Sequence, residues 1–243
     1  MKITKPCRLI ELFGGIGSQA MAFEALGADF EHYRLVEFDK YPVMSYNAIH
    51  GTNFEPMDIT KIHGSDLGIV DKDKYTYFMT YSFPCQDLSI AGHCRGMKEK
   101  SGTRSSLLWE VKRLLNECEE LPDILLMENV QQVHNKRNVK DFEKFLRFLK
   151  KKGYTNTWAD LNAKEYGLPQ NRLRCFCVSI FGKGSYEFPE PIELKRSAPE
   201  YLESKVDDSF YLKGEKVKKI VDSLLEKDKI LTDRQTDRQT APC

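Results

Sequence analysis

Apolar residues along this chain follow two rhythms. Short stretches such as CRLIELF, TYFMTYS and DILLM are apolar almost without a break, the pattern of strands covered on both faces. Elsewhere apolar positions recur every three or four residues, as on one face of a helix. The pattern predicts strands at Cys7–Phe13, Tyr33–Glu37, Thr76–Ser82 and Asp123–Met127. It predicts helices near Ser18–Leu26, Tyr41–His50 and Ser105–Glu117. Such alternation implies parallel strands joined by crossover helices, an α/β fold with a doubly wound, mostly parallel sheet. A further helix is expected at Asp141–Lys152, with Phe142, Phe145, Leu146 and Leu149 on one face and a solvated basic face opposite. Two last strands, near Thr155–Leu161 and Arg174–Phe181, lack a long helix between them. They read as an antiparallel pair closing the sheet.

The rhythm fades after Gly184. Glu187–Pro199 holds three prolines and reads as a linker, and a helix is expected at Glu215–Lys227. The expected organisation is a catalytic domain at 1–186, a linker region at 187–231 and a disordered tail at 232–243. Lysine plus arginine number 37 and aspartate plus glutamate 36, a net charge of +1. That balance excludes a polybasic DNA-coating protein and an acidic disordered tail protein. No apolar run approaches the ~20 residues that cross a bilayer, and the N-terminus lacks a signal-peptide layout. A cytoplasmic, non-membrane protein is expected. The 7 cysteines include no CxxC pair, so a reduced compartment and no metal ligation are expected. Cys175 and Cys177 read as buried thiols on one strand face.

Chemistry-bearing residues gather at predicted strand ends. The first strand runs into Phe13-Gly14-Gly15-Ile16-Gly17-Ser18, where glycines let a ligand approach the backbone. A plain tight turn fits the same residues. The second strand ends Val36-Glu37-Phe38-Asp39, placing an acid that can accept from ribose hydroxyls and a ring that can face adenine. Asp58-Ile59 can meet the adenine edge. The turn is not GxGxxG, so a single adenosine suits it better than a dinucleotide. The third strand ends Phe83-Pro84-Cys85-Gln86, a cysteine where ligands bind in open α/β sheets. A structural thiol fits Cys85 taken alone. The loop 91–106 after it is rich in glycine, serine and cations and reads as a lid. The fourth strand delivers Glu128 to the same rim, as an acid–base group or a surface charge. Arg172 and Arg174 are two apart and can face one side if the strand has begun, suited to an oxyanion or to salt bridges.

As a set these pieces resemble the C5-cytosine DNA methyltransferases. The matching segments are ELFGGIGS, VEFD, FPCQDLS, SGTRSSLLWE, ENV and YGLPQNRLR, in the family's order over about residues 7–183. The resemblance implies a Rossmann-like class I methyltransferase fold with S-adenosyl-L-methionine as cofactor. The cofactor site would comprise Phe13, Gly15, Gly17, Glu37, Phe38, Asp58, Ile59 and Leu107. Cys85 would add to C6 of a cytosine flipped out of double-stranded DNA, with Pro84 fixing its loop. Glu128 would hold and protonate N3, Arg174 would reach O2, and Arg172 would brace the Cys85 loop or a phosphate. A monomeric modification enzyme with a cognate restriction endonuclease is expected. Family segments resembling RLQGFP and GNAV do not occur, so a truncated target-recognition region is expected. The alternatives are an inactive cofactor- or DNA-binding remnant and a tRNA cytosine-5 methyltransferase.

Thr232–Thr240 repeats Thr-Asp-Arg-Gln with period four. ACA-GAC-AGA-CAG encodes that unit and is simply ACAG repeated. The repeat reads as a slippage-prone tetranucleotide tract, and Ala241–Cys243 as an out-of-frame ending of a phase-variable gene. A short polar tail is the alternative.

Overall fold

A computed structural model describes residues 3–88, 95–211 and 213–226. They fall into two compact units, Met1–Arg196 and Ser197–Cys243. The first unit holds a six-stranded sheet. Its strands are β1 (Cys7–Leu12), β2 (Phe30–Val36), β3 (Thr76–Tyr81), β4 (Ile124–Val130), β5 (Tyr154–Asn162) and β6 (Leu173–Phe181). Its helices are α1 (Ser18–Ala25), α2 (Lys40–His50), α3 (Leu108–Glu117) and α4 (Val139–Lys151).

The strand order is β2-β1-β3-β4-β6-β5. β1, β2, β3 and β4 are parallel, and β6 is antiparallel to both β4 and β5. The reversed strand is therefore inserted between two others, and the edge strand β5 again runs with the first four. Strand residues alternate between two apolar layers. Leu9 and Leu35 join Ala20 of α1 and Val43 and Tyr46 of α2. Ile10, Val36, Met79, Tyr81, Leu125 and Met127 join Leu108, Val111 and Leu114 of α3 and Phe142, Phe145 and Leu149 of α4. Both faces are covered, which is why the strands read as continuous apolar runs.

Several boundaries differ from expectation for identifiable reasons. β4 continues through Glu128, Asn129 and Val130, because β6 offers them Phe176, Cys175 and Arg174 as partners. α3 begins at Leu108 rather than Ser105, because Arg104–Leu107 winds as a 3₁₀ turn. The linker stretch is tied back where the Ile192 N–H donates to the Glu165 carbonyl at 2.8 Å and the Tyr166 hydroxyl donates to the Pro189 carbonyl at 3.0 Å.

In the second unit, 3₁₀ turns at Ala198–Tyr201 and Asp208–Phe210 precede a helix over 215–226. None of its described residues is buried. The expected helix end at Lys227 and the Thr232–Thr240 repeat lie outside the described residues. Among the described residues no helix is long and apolar enough to cross a membrane.

Candidate active site

The chain goes from β1 outward to β2, then crosses back to β3 on the other side of β1. Loops leaving the carboxyl ends of β1 and β3 therefore diverge, and the gap between them is where open α/β sheets bind ligands. A cleft of about 490 Å³ opens there. Phe13, Glu37, Phe38, Asp58, Ile59, Pro84, Cys85, Leu107, Glu128, Arg172 and Arg174 all line it. Gly15 and Gly17, expected among the cofactor residues, are not part of its wall.

On the β1–β2 side the backbone is the organiser. Phe13 has φ +57°, a left-handed conformation costly for a bulky side chain. Its N–H donates to the Val36 carbonyl at 2.7 Å, which ties the end of β1 to the end of β2. The Gly15 N–H donates to Glu37 Oε2 at 3.2 Å, and the Asp39 N–H donates to Glu37 Oε1 at 3.1 Å. The Gly15 amide is thus spent on orienting Glu37. Gly17 has φ +84°, and a Cβ there would stand 2.4 Å from His50 Nε2. Its glycine serves packing behind the turn. Phe38 is 73% exposed, an aromatic ring left open to the cleft. Asp58 accepts from the Thr60 N–H at 3.0 Å and its hydroxyl at 2.8 Å. Those bonds hold the Asp58 carboxyl below the usual carboxylate range.

On the β3–β4–β6 side, side chains are the organisers. Three successive carbonyls after β3 are each fastened. Asn129 Nδ2 donates to Phe83 O at 2.8 Å, Ser105 Oγ to Pro84 O at 2.7 Å, and the Leu88 N–H to Cys85 O at 2.9 Å. These bonds hold a half-buried free thiol at the cleft wall. The other described cysteines are different. Burial pushes the thiols of Cys118 and Cys177 up to about 11 and that of Cys7 up to about 12. Cys175 is raised further by burial and by Asp160. Glu128 Oε1 lies 3.1 Å from Arg174 Nε and 3.6 Å from Arg172 Nη2. β6 begins at Leu173, so Arg172 lies just before the strand rather than on a strand face with Arg174, yet both close on the carboxylate.

The loop expected to be a lid is, where described, tied down. Asp87 accepts from the Arg104 N–H at 2.8 Å, Thr103 Oγ1 donates to Gly96 O at 3.0 Å, and Trp109 Nε1 donates to Met97 O at 2.7 Å. Met97 is fully buried. Residues 89–94 lie outside the described residues. Asn129, Ser105, Asp87 and Met57 all serve the site without having been singled out in the sequence. Asn129 had a visible signal, a polar residue inside a buried strand.

Comparison with known proteins shows the family of the chain. The family model described as C-5 cytosine-specific DNA methylase matches residues 7–241. The chain is 34% identical to the type II methyltransferase M2.ScrFI of Lactococcus lactis subsp. cremoris, over 86% of this chain and 71% of that protein. It is 31% identical to the type II methyltransferase M.NlaX of Neisseria lactamica, over 84% of this chain but 62% of the relative. Among solved structures, the S. pombe Dnmt2 methyltransferase superposes with a TM-score of 0.67 at 24% identity, covering 88% of this chain and 64% of that one. At that identity the likeness speaks for the fold, which is that of a class I methyltransferase.

Proposed function

The chain belongs to the C-5 cytosine-specific DNA methylases, and we propose that it methylates C5 of a cytosine flipped out of duplex DNA, through a covalent adduct of Cys85. The observation that carries the reading is the convergence of Cys85, Glu128, Arg172 and Arg174 on one side of a single cleft whose other side is built for a nucleoside.

The nucleoside side fits S-adenosyl-L-methionine. Phe38 offers an open ring face, Glu37 an oriented carboxylate with lone pairs left over for ribose hydroxyls, and Asp58 an ionised polar edge. Ile59, Leu107 and Phe13 supply apolar walls. The Gly15 and Gly17 amides are engaged by Glu37 and the Gly14 carbonyl, which takes two N–H groups of the turn away from a pyrophosphate. A cofactor without phosphates suits it. When bound, S-adenosyl-L-methionine supplies an electrophilic methyl group to the activated C5.

The protein's task is to make C5 nucleophilic. The Cys85 thiolate adds to C6, forming the S–C6 bond, and the C5=C6 electron pair is then available at C5. Negative charge would otherwise build on N3 and O2 of the ring. In this reading Glu128 holds N3 and passes it a proton as the adduct forms, and Arg174 beside it reaches O2. Arg172 holds the carboxylate from its other side. Loss of the C5 proton to a solvent base then re-forms the C5=C6 double bond and expels the thiolate, while N3 returns its proton to Glu128. Pro84 and its fastened carbonyl keep the sulfur from swinging away from C6.

Residues 1–186 form the catalytic domain in this reading, and 187–231 hold a linker and the start of a target-recognition region. The enzyme acts as a monomer in the cytoplasm, as the modification partner of a cognate restriction endonuclease, a setting supported by relatives named type II methyltransferases. Thr232–Thr240 reflects an ACAG tract whose slippage switches the downstream frame. Mixed synonymous codons in the gene would remove that part.

The decisive experiment transfers labelled methyl groups to sequence-diverse, unmethylated duplex DNA, with tRNA as the contrast. The wild-type chain labels DNA, and Cys85→Ser loses turnover by about 10³-fold or more while still binding cofactor. A duplex carrying 5-fluorocytosine accumulates a covalent complex with the wild type alone, because the fluorine cannot leave as the proton does. Equal turnover by Cys85→Ser would overturn the assignment.

A further inference from the structure

A second cluster of polar side chains lies behind the glycine turn and has no part in the cleft. Glu24 of α1, His32 of β2 and His50 of α2 each present one ligand atom, all within 4.8 Å of one another. Glu24 Oε1 lies 2.8 Å from His50 Nδ1 and 3.5 Å from His32 Nε2.

The other ring nitrogens fix the protons. His50 Nε2 lies 3.1 Å from the Ile16 carbonyl, which can only accept, so Nε2 carries a hydrogen. Tyr46 donates its hydroxyl hydrogen to Glu11 Oε2 at 2.6 Å. Its oxygen, 2.8 Å from His32 Nδ1, therefore accepts, and Nδ1 carries a hydrogen. With one hydrogen on each ring, Nδ1 of His50 and Nε2 of His32 both face the same carboxylate oxygen. Between those nitrogens and the Glu24 carboxylate, whose Oε1 is within hydrogen-bond distance of His50 Nδ1, sits either a proton or a metal ion. A metal-bound histidine characteristically donates its second N–H to a carbonyl or to a hydrogen-bonded acceptor, and both histidines here do so. Two imidazoles and one carboxylate form the set used for zinc with one coordination position left open.

We propose that Glu24, His32 and His50 bind one zinc-like divalent transition-metal ion. Such an ion pins α1, β2 and α2 together and, through the His50–Ile16 bond, steadies the glycine turn from behind. Glu24 is 45% exposed and gives the ion an entrance, whereas the His50 side chain has no exposed surface. Gly17 admits that ring, since any side chain there would collide with it. The sequence shows no metal spacing because the three ligands come from separate elements, at positions 24, 32 and 50.

The alternative occupant is a proton, making an imidazolium–carboxylate pair. A second trio, His134, Asp160 and Cys175, is also close together. There Asp160 is already engaged by His134 Nε2 at 2.9 Å and Gln131 Nε2 at 2.8 Å, and Cys175 is fully buried. It serves as the control.

The test uses the full chain stripped with a chelator and titrated with Co²⁺, whose visible absorption reports tetrahedral nitrogen and oxygen ligation. The expected result is one equivalent bound, displaced by Zn²⁺, with a rise in melting temperature. Glu24→Gln and His32→Gln should weaken uptake by more than about tenfold, and Tyr46→Phe by about tenfold, while His134→Gln leaves it intact. If His32→Gln fails to fold, Glu24→Gln decides, because Glu24 lies at the surface. No saturable uptake means a proton holds the site and overturns the proposal. Uptake untouched by Glu24→Gln, or lost only in His134→Gln, overturns it as well.

Discussion

The two sides of the cleft hold their working groups by different means. On the β1–β2 side the Glu37 carboxylate is gripped by two backbone N–H groups, and Asp58 by the backbone and hydroxyl of Thr60. On the β3–β4–β6 side Glu128 is gripped by two guanidinium groups, and the Cys85 loop by the Asn129 amide and the Ser105 hydroxyl. Backbone donors stay where the fold puts them, so a carboxylate they hold keeps one orientation. That suits recognition. Guanidinium groups on long side chains can trade one partner for another. An Arg172 side chain that is 48% exposed and 3.6 Å from its carboxylate is loosely committed. That suits a group whose proton must move during a reaction.

The largest effect that separates the sides is expected at Glu128. Glu128→Gln keeps the shape but cannot supply the N3 proton as an acid, so turnover should fall about 10²- to 10⁴-fold. Cofactor affinity, set across the cleft, should stay unchanged. Single-turnover methyl transfer beside equilibrium dialysis of the cofactor measures both. A variant that loses cofactor as well would mean that the sides are not independent.

The converse change is smaller and falls on binding. Glu37→Gln replaces one acceptor oxygen by an amide that donates, so either the Gly15 or the Asp39 N–H loses its partner. Hydrogen bonds to a charged group contribute about 1.5–3 kcal/mol. The Michaelis constant for the cofactor should rise by about 10- to 100-fold, with the rate at saturation little altered. A lower saturated rate at an unchanged Michaelis constant would erase the distinction between the sides.

Most of the cleft was legible in the sequence because its chemical residues sit at strand ends, where pattern and chemistry meet. Phe13, Glu37, Cys85 and Glu128 each follow or finish an apolar run, and the fold brings those ends together. What pattern could not supply was partners. Glu128 was read as lying past its strand, because nothing in residues 123–130 announces that β6 will pair there. Gly15 reads as a place for a ligand to approach, yet its N–H is committed to a carboxylate 22 residues away. The loop after Cys85 has the composition of a free lid, but Ser105, Asp87 and the Trp109–Met97 bond fasten its described part. Such long-range bonds leave no periodicity behind. The helix over 215–226 shows the reverse case, a helix expected from the sequence although none of its described residues is buried.

The smallest effect sharpens the comparison most, because it concerns a residue with no structural duty. Phe38 is 73% exposed, whereas Phe83, the aromatic that opens the Cys85 loop, is 2% exposed and part of the core. Removing a core ring of that kind costs about 3–5 kcal/mol of stability, so Phe83→Ala would confuse folding with function. Phe38→Ala should leave the melting temperature unchanged. A ring stacked on a ligand contributes about 0.5–1.5 kcal/mol beyond simple burial, so cofactor affinity should fall about 2- to 10-fold, with the rate at saturation preserved. Calorimetric titration with the cofactor and its demethylated product tests this directly. Both ligands share the adenosine, so both should weaken equally if Phe38 faces the base. A loss confined to the methylated form would move Phe38 away from the adenine and toward the sulfonium, where the cation would lie over the ring face.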